Sequence, residues 1–195
     1  VDSLFAHVEA ARTAAPWNRF GLTARAYGLV TLHRPALVDD PELLRAAVEA
    51  LVTLAESVPL LFPAHPRTVE RLAAAGLRET VDRSSVVLAP PLGYLDFLGL
   101  EAEAQFVLTD SGGVQEETSA LNVPCFTLRD RTERPVTVEL GTNTVIGLNP
   151  ARIAEIPALL EESRPGGPIP LWDGQAGERA ATVLAAFVGE PVTAA

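Results

Sequence analysis

Apolar residues gather in six short runs along the chain, at 26–32, 58–64, 85–89, 105–108, 125–128 and 144–148. Runs of this length, bounded by turn residues, predict strands buried on both faces, as in a parallel sheet. Between the runs the period lengthens to that of a helix. Leu44, Ala47, Val48, Leu51 and Leu54 recur on one face of a helix predicted over 41–57. Pro41 suits its first turn, and Asp39, Asp40 or both can cap it. Further helices are predicted over 2–14, over 68–75 up to Gly76, and over 95–103, 136–140, 150–162 and 174–188. Another opens just after Gly112 and Gly113 and runs to about Leu121. The segment 163–170 is dense in Pro and Gly and reads as a linker or corner.

Strands alternating with helices predict an α/β fold, a doubly wound Rossmann-like parallel sheet. Residues 1–170 form that unit, and 171–195 carry the final helix. Ligands of such sheets bind beyond the carboxyl ends of the strands. Polar residues follow strand after strand there: His33 and Arg34, then His65 and Arg67, Tyr94, Asp110 to Gly113, and Arg129 to Arg134. They are expected to converge on one edge.

The stretch Thr109-Asp110-Ser111-Gly112-Gly113-Val114-Gln115-Glu116-Glu117 concentrates the chemistry. A strand that turns through two glycines into a helix offers unpaired amides and the positive end of a macrodipole to an anion. Ser111 adds a hydroxyl, and Glu117, one turn past Gly113, can face a ribose beside the phosphate. On spacing alone, both glutamates read first as ordinary first-turn acids that complement the dipole. Arg129, Arg131 and Arg134 suit a diphosphate through guanidinium forks, or solvent ion pairs. His33 and His65 end strands, where a histidine can act as acid, base or donor to phosphate, or simply cap a solvated loop.

Charge changes the picture. The net charge is -10, and all 15 basic residues are Arg. A broadly acidic surface repels nucleic acid and anionic membrane, so an anion must be bound in one focused cleft. The single cysteine, Cys125, excludes an internal disulfide and reads as a small core residue. No apolar stretch reaches the roughly 20 residues of a membrane span and no signal-like start is present, which reads as a cytoplasmic protein. The chain starts inside an amphipathic helix without Met, so it is expected to be a piece of a longer polypeptide. From the residues alone the reading ends at a nucleotide-diphosphate-type site.

In five segments the chain resembles the non-hydrolysing UDP-N-acetylglucosamine 2-epimerases. They are Thr31-Leu32-His33-Arg34-Pro35, Pro63-Ala64-His65-Pro66-Arg67-Thr68, Pro91-Leu92-Gly93-Tyr94-Leu95-Asp96-Phe97, the stretch 109–117, and Leu128-Arg129-Asp130-Arg131-Thr132-Glu133-Arg134-Pro135. Asp173-Gly174 before the last helix is similar to the family's final turn, and the resemblance spans about 1–188. It implies the UDP-binding carboxyl-terminal half of a two-domain fold like that of the glycosyltransferase B class. The final helix would pack back toward the amino-terminal domain. The family interconverts UDP-N-acetylglucosamine and UDP-N-acetylmannosamine by eliminating UDP to a 2-acetamidoglucal and re-adding it, in the service of cell-envelope polysaccharide synthesis. By resemblance, Ser111, Gly112 and Gly113 would hold the diphosphate, Glu117 the ribose, and backbone near Leu92 and Phe97 the uracil. Arg134 would join the same site, and His33 would be catalytic, at the reacting diphosphate. Arg34 and His65 match positions that contact a second, activating UDP-sugar in some bacterial members. No metal and no cofactor are expected; the expected partners are UDP-N-acetylglucosamine or UDP and the absent amino-terminal domain, with a homodimer left open because the sequence is silent on oligomeric state.

The chain also departs from the family. The family's amino-terminal half, with its acid/base carboxylates, has no counterpart here, so this chain alone is expected to bind UDP and not to epimerise. Ala36 and Leu37 stand near where members often carry Glu-Asn, and Asn122 stands where glycine is usual. A glycosyltransferase of the same architecture and a non-catalytic UDP-sugar-binding module are the competing readings.

Overall fold

The computed structural model describes residues 1–189. Its six strands are β1 (Gly28–Thr31), β2 (Leu60–Pro63), β3 (Val86–Ala89), β4 (Phe106–Thr109), β5 (Cys125–Thr127) and β6 (Asn143–Val145). They form one sheet in the order β3-β2-β1-β4-β5-β6, parallel at every pairing. Each lies within or overlaps an expected apolar run, and most are shorter because only the laddered residues count as strand. The run of apolar residues has a simple cause: side chains alternate between two covered faces. Val30, Phe62, Phe106 and Leu108 enter the core on one face, and Leu29, Leu61 and Val107 enter the core on the other. Phe106 and Phe126 meet edge to face with ring centres 5.9 Å apart.

The helices are α1 (Asp2–Thr13), α2 (Pro35–Val38), α3 (Pro41–Leu54), α4 (Pro66–Ala74), α5 (Arg78–Asp82), α6 (Tyr94–Ala102), α7 (Gly112–Leu121), α8 (Pro135–Glu139), α9 (Ile156–Glu162) and α10 (Ala176–Val188). Two 3-10 segments, Pro16–Phe20 and Pro150–Glu155, join them. At α3 the cap is Asp40, whose Oδ1 accepts from the amides of Glu42 and Leu43 at 2.9 and 3.0 Å. Asp39 turns away to pair with Arg67 and Arg71. The helix expected over 150–162 is instead a 3-10 segment followed by α9, whose first turn contains Pro157. Proline has no amide to donate, so it suits a restart better than a helix interior.

The expected glycine turn before α7 is corrected as well. Ser111 is the N-cap, with φ -91° and ψ 132°, and Gly112 and Gly113 are the first two helical residues. Asn122 ends this helix in the left-handed region at φ 58°, a conformation asparagine tolerates. Its side-chain oxygen accepts from the Gly166 amide at 2.8 Å and anchors the Pro- and Gly-rich corner.

The last helix, α10, has no buried residue and exposes Val183, Leu184, Phe187 and Val188. Its start is tied to α1 by the Gly177 amide, which donates to Asp2 Oδ2 at 2.7 Å. The remainder of the expected carboxyl-terminal segment, 190–195, lies outside the described residues.

Helix α6 packs closely on α1 because Gly99 has no side chain. A Cβ there would stand 2.5 Å from the Ala11 carbonyl oxygen and 2.9 Å from Cγ of Pro16. Gly99→Ala in an open helix would stabilise by up to about 1 kcal/mol. Here overpacking wins, and urea unfolding is expected to show a loss of about 1–3 kcal/mol.

Candidate functional site

The strand order reverses between β1 and β4, where one crossover runs one way and the next runs the other. A crevice opens at the carboxyl end of such a switch point. Thr31 and Thr109 lie opposite each other in register, their hydroxyls 2.7 Å apart. Beyond them the chain gives His33 and Arg34 from β1, and Asp110 to Gly113 from β4.

Asp110 joins the two strand ends. Its side chain is 1% exposed, and its Oδ2 accepts from the backbone amides of His33 and Arg34 at 2.8 and 2.7 Å. Oδ1 lies 3.1 Å from Nδ1 of the half-exposed His33 ring, in a bent contact. This close contact with Asp110, and then its charge, raise the His33 pKa above its usual 6.5, against burial and the Arg34 charge. With Nδ1 held by Asp110, Nε2 is the ring nitrogen left for a ligand.

At α7 the first intrahelical bond runs from the Gln115 amide to the Ser111 carbonyl. The amides of residues 112–114 therefore have no acceptor within the helix. Ser111 makes no side-chain cap bond, so its hydroxyl is uncommitted. Neither Gly112 nor Gly113 has a positive φ. A Cβ on Gly112 would meet nothing within 4 Å, and one on Gly113 only the Ser111 hydroxyl at 3.9 Å. The fold itself thus has no need of glycine at either place, and the space above them is open.

The other expected residues fall around this crevice. His33, His65, Leu92 and Phe97 line one cavity of about 230 Å³, together with Thr31 and Pro91. His65 also serves as the N-cap of α4, with Nδ1 accepting from the Arg67 amide at 3.2 Å. Arg34 lines a separate cavity of about 200 Å³ with Asp110, Arg129 and Arg131. The expected arginine cluster is largely engaged by carboxylates. Arg129 grips Glu133 at 2.5 and 2.7 Å and holds that carboxyl down to about 2. Arg134 pairs with Glu116 at 2.6 Å. Its loop is pinned to α7 by the Thr132 hydroxyl, which donates to the buried Gln115 side chain and accepts from the Arg134 amide.

Glu117 projects toward α6, where the Tyr94 hydroxyl donates to its Oε1 at 3.4 Å. Burial raises the Glu117 pKa above its usual range, opposed by the Tyr94 hydrogen bond and by the neighbouring Glu101 carboxyl. Three contributors are outside the expected ligand contacts. Asp110 and Tyr94 were expected among the polar residues of the binding edge, without a role of their own. Glu101 is fully buried, within a helix that gave no sign of it. Cys125 lies in the core as expected, its thiol pushed up to about 12 chiefly by burial. Among the described residues no group of three or more His, Cys, Asp or Glu is placed to hold a metal ion. No helix there is long and apolar enough to cross a membrane.

Residues 1–185 match the family model described as UDP-N-acetylglucosamine 2-epimerase. The chain belongs to the UDP-N-acetylglucosamine 2-epimerase family. A UDP-N-acetylglucosamine 2-epimerase of Methanocaldococcus jannaschii is 40% identical over 161 residues, covering 81% of this chain and 44% of that protein. A Bacillus subtilis UDP-N-acetylglucosamine 2-epimerase is 39% identical over 129 residues, 66% of this chain and 33% of its own length. The solved M. jannaschii epimerase in complex with UDP-GlcNAc and UDP superposes with a TM-score of 0.85 at 36% identity, covering 95% of this chain and 52% of that one. The chain thus spans between a third and about half of the length of these relatives, in agreement with the expected carboxyl-terminal half of a 2-epimerase. The doubly wound sheet is that half's fold.

The contact between Asp110 and His33 can be read directly. In a proton NMR titration the His33 ring should titrate above 6.5, and in Asp110→Asn its midpoint should fall. Because the folded pKa is the higher one, the pair's contribution to stability is complete below about 6.5 and lost as pH rises through the folded value. The wild type's advantage over Asp110→Asn should shrink in that direction.

Proposed function

We propose that this chain is the UDP-binding half of a UDP-N-acetylglucosamine 2-epimerase, which interconverts UDP-N-acetylglucosamine and UDP-N-acetylmannosamine. The observation that carries this reading is the start of α7. Two glycines there cost helix stability, satisfy no packing need and leave open space above free amides.

In this reading the diphosphate sits on the amides of residues 112–114 and the Ser111 hydroxyl. Glu117 takes the ribose hydroxyls, and the uracil enters the cavity beside Leu92 and Phe97. Arg134 exchanges part of its contact with Glu116 for phosphate. His33, protonated and held by Asp110, donates from Nε2 to a diphosphate oxygen as the bond from sugar C1 to UDP breaks, which eases departure of the dianionic leaving group. It takes that proton back as UDP re-adds to the glucal. Keeping UDP bound through both steps requires many weak contacts held in one geometry. The carboxylates that remove and return the C2 proton come from the amino-terminal half. The apolar residues exposed on α10 pack toward that half. Arg34 and His65, on the two cavities flanking His33, contact a second, activating UDP-sugar. The whole protein works in the cytoplasm as a homodimer, without metal or cofactor.

Gly112→Ala separates binding from folding. Calorimetric titration with UDP should show about tenfold weaker affinity, since a methyl group crowds the amides. Urea unfolding should show equal or greater stability, by up to about 1 kcal/mol. Unchanged UDP affinity in this variant would overturn the placement of the diphosphate.

A further inference from the structure

Glu101 is an acid where the fold offers none of the usual compensation. Its side chain is fully buried, and no protein donor reaches either carboxyl oxygen. A carboxylate in that position lacks solvent, hydrogen bonds and a cation together. The group it faces is the Glu117 carboxyl. Tyr94 and Glu101 are seven residues apart on α6 and so share one face, which looks onto α7. Tyr94 donates to Glu117 from the outer end of that face. Two ionised carboxyl groups cannot stand together there, whereas one proton between them supplies the missing hydrogen bond.

We propose that Glu101 is a positioning residue for the nucleoside part of the site. Its carboxyl group stays protonated behind Glu117 and donates to one oxygen of that carboxylate, leaving the other oxygen for the ribose hydroxyls. This rests on the reading that Glu117 takes the ribose. The Tyr94 hydroxyl and the Glu101 acid fix Glu117 from two sides, so the acceptor is oriented before ligand arrives. Burial first, and then the Glu117 charge, raise the Glu101 pKa well above its usual 4.5. The other titratable side chains acting on the pair are Tyr94 on α6, Glu116 on α7 and Cys125 on β5. The Glu117 pKa is raised too, so lowering the pH through it adds a second proton to the pair. Glu117 then accepts more weakly, and preference for a ribose over a dideoxyribose falls at acid pH.

The test uses carbon-13 NMR of labelled glutamate carboxyl groups, with calorimetric titration of UDP and 2′,3′-dideoxy-UDP as probes. The Glu101 signal, assigned by its loss in Glu101→Gln, should remain that of a neutral acid at pH 7. Wild-type protein should favour UDP over the dideoxy analogue by about tenfold, the worth of one charge-assisted hydrogen bond. Glu101→Gln, which keeps a donor, should retain that preference within about twofold. Glu101→Leu should lose most of it with dideoxy-UDP affinity unchanged. A Glu101 signal that titrates like an ordinary carboxylate overturns the proposal whatever the ligands do. So does a Glu101→Gln variant that loses the preference while the dideoxy affinity holds. If Glu117→Gln leaves the preference intact, the ribose reading itself fails, and the positioning role falls with it even though Glu101 is neutral.

Discussion

Asp110 is a buried carboxylate at the end of the central strand, and two backbone amides from the neighbouring strand end are its main hydrogen-bond partners. Its burial would be costly without those partners, so the turn at His33 and Arg34 is held in a single geometry. The same carboxylate faces the His33 ring and keeps it more basic than a free histidine. One side chain therefore couples the sheet's switch point to the proton on the His33 ring, beside the helix start where we propose that the diphosphate sits. The cradle follows directly in sequence, because the chain passes from Asp110 to the Ser111 cap and into the α7 glycines.

The site's positive character is local and mostly already answered by protein carboxylates. In a chain of net charge -10, Arg129, Arg34 and Arg134 each have a glutamate within reach, at 2.5, 3.7 and 2.6 Å. Such exposed pairs contribute little to stability. Their effect is to hold guanidinium groups in place near a helix start that itself favours anions. In the proposed binding mode a diphosphate would compete with Glu116 for an Arg134 that is already positioned.

Much of this was legible in the residues. The strands announced themselves as apolar runs because both faces of the sheet are covered, and the resemblance rests on motifs at the strand ends, where the structure gathers His33, Asp110 and the α7 start. The misreadings have physical reasons. Gly112 and Gly113 read as a turn because glycine disfavours helix, whereas the structure makes them the first two helical residues, under open space. One-turn helices such as α2 and α5 are too short to show a period. Adjacent Asp39 and Asp40 are equivalent as caps until Arg67 and Arg71 claim the first. Glu101 sits among helix-forming residues, and nothing in the sequence reveals that its side chain turns inward to meet Glu117.

The most direct measurement is proton NMR of UDP-N-acetylglucosamine in deuterated buffer with this chain, following the uracil lines and the sugar C2 proton together. A nucleotide-binding half without its partner predicts broadened uracil lines and a C2 signal that keeps its intensity. Sharp, unshifted uracil lines would contradict the nucleotide site. Loss of the C2 signal with new N-acetylmannosamine resonances would contradict the placement of the acid/base groups in the other half.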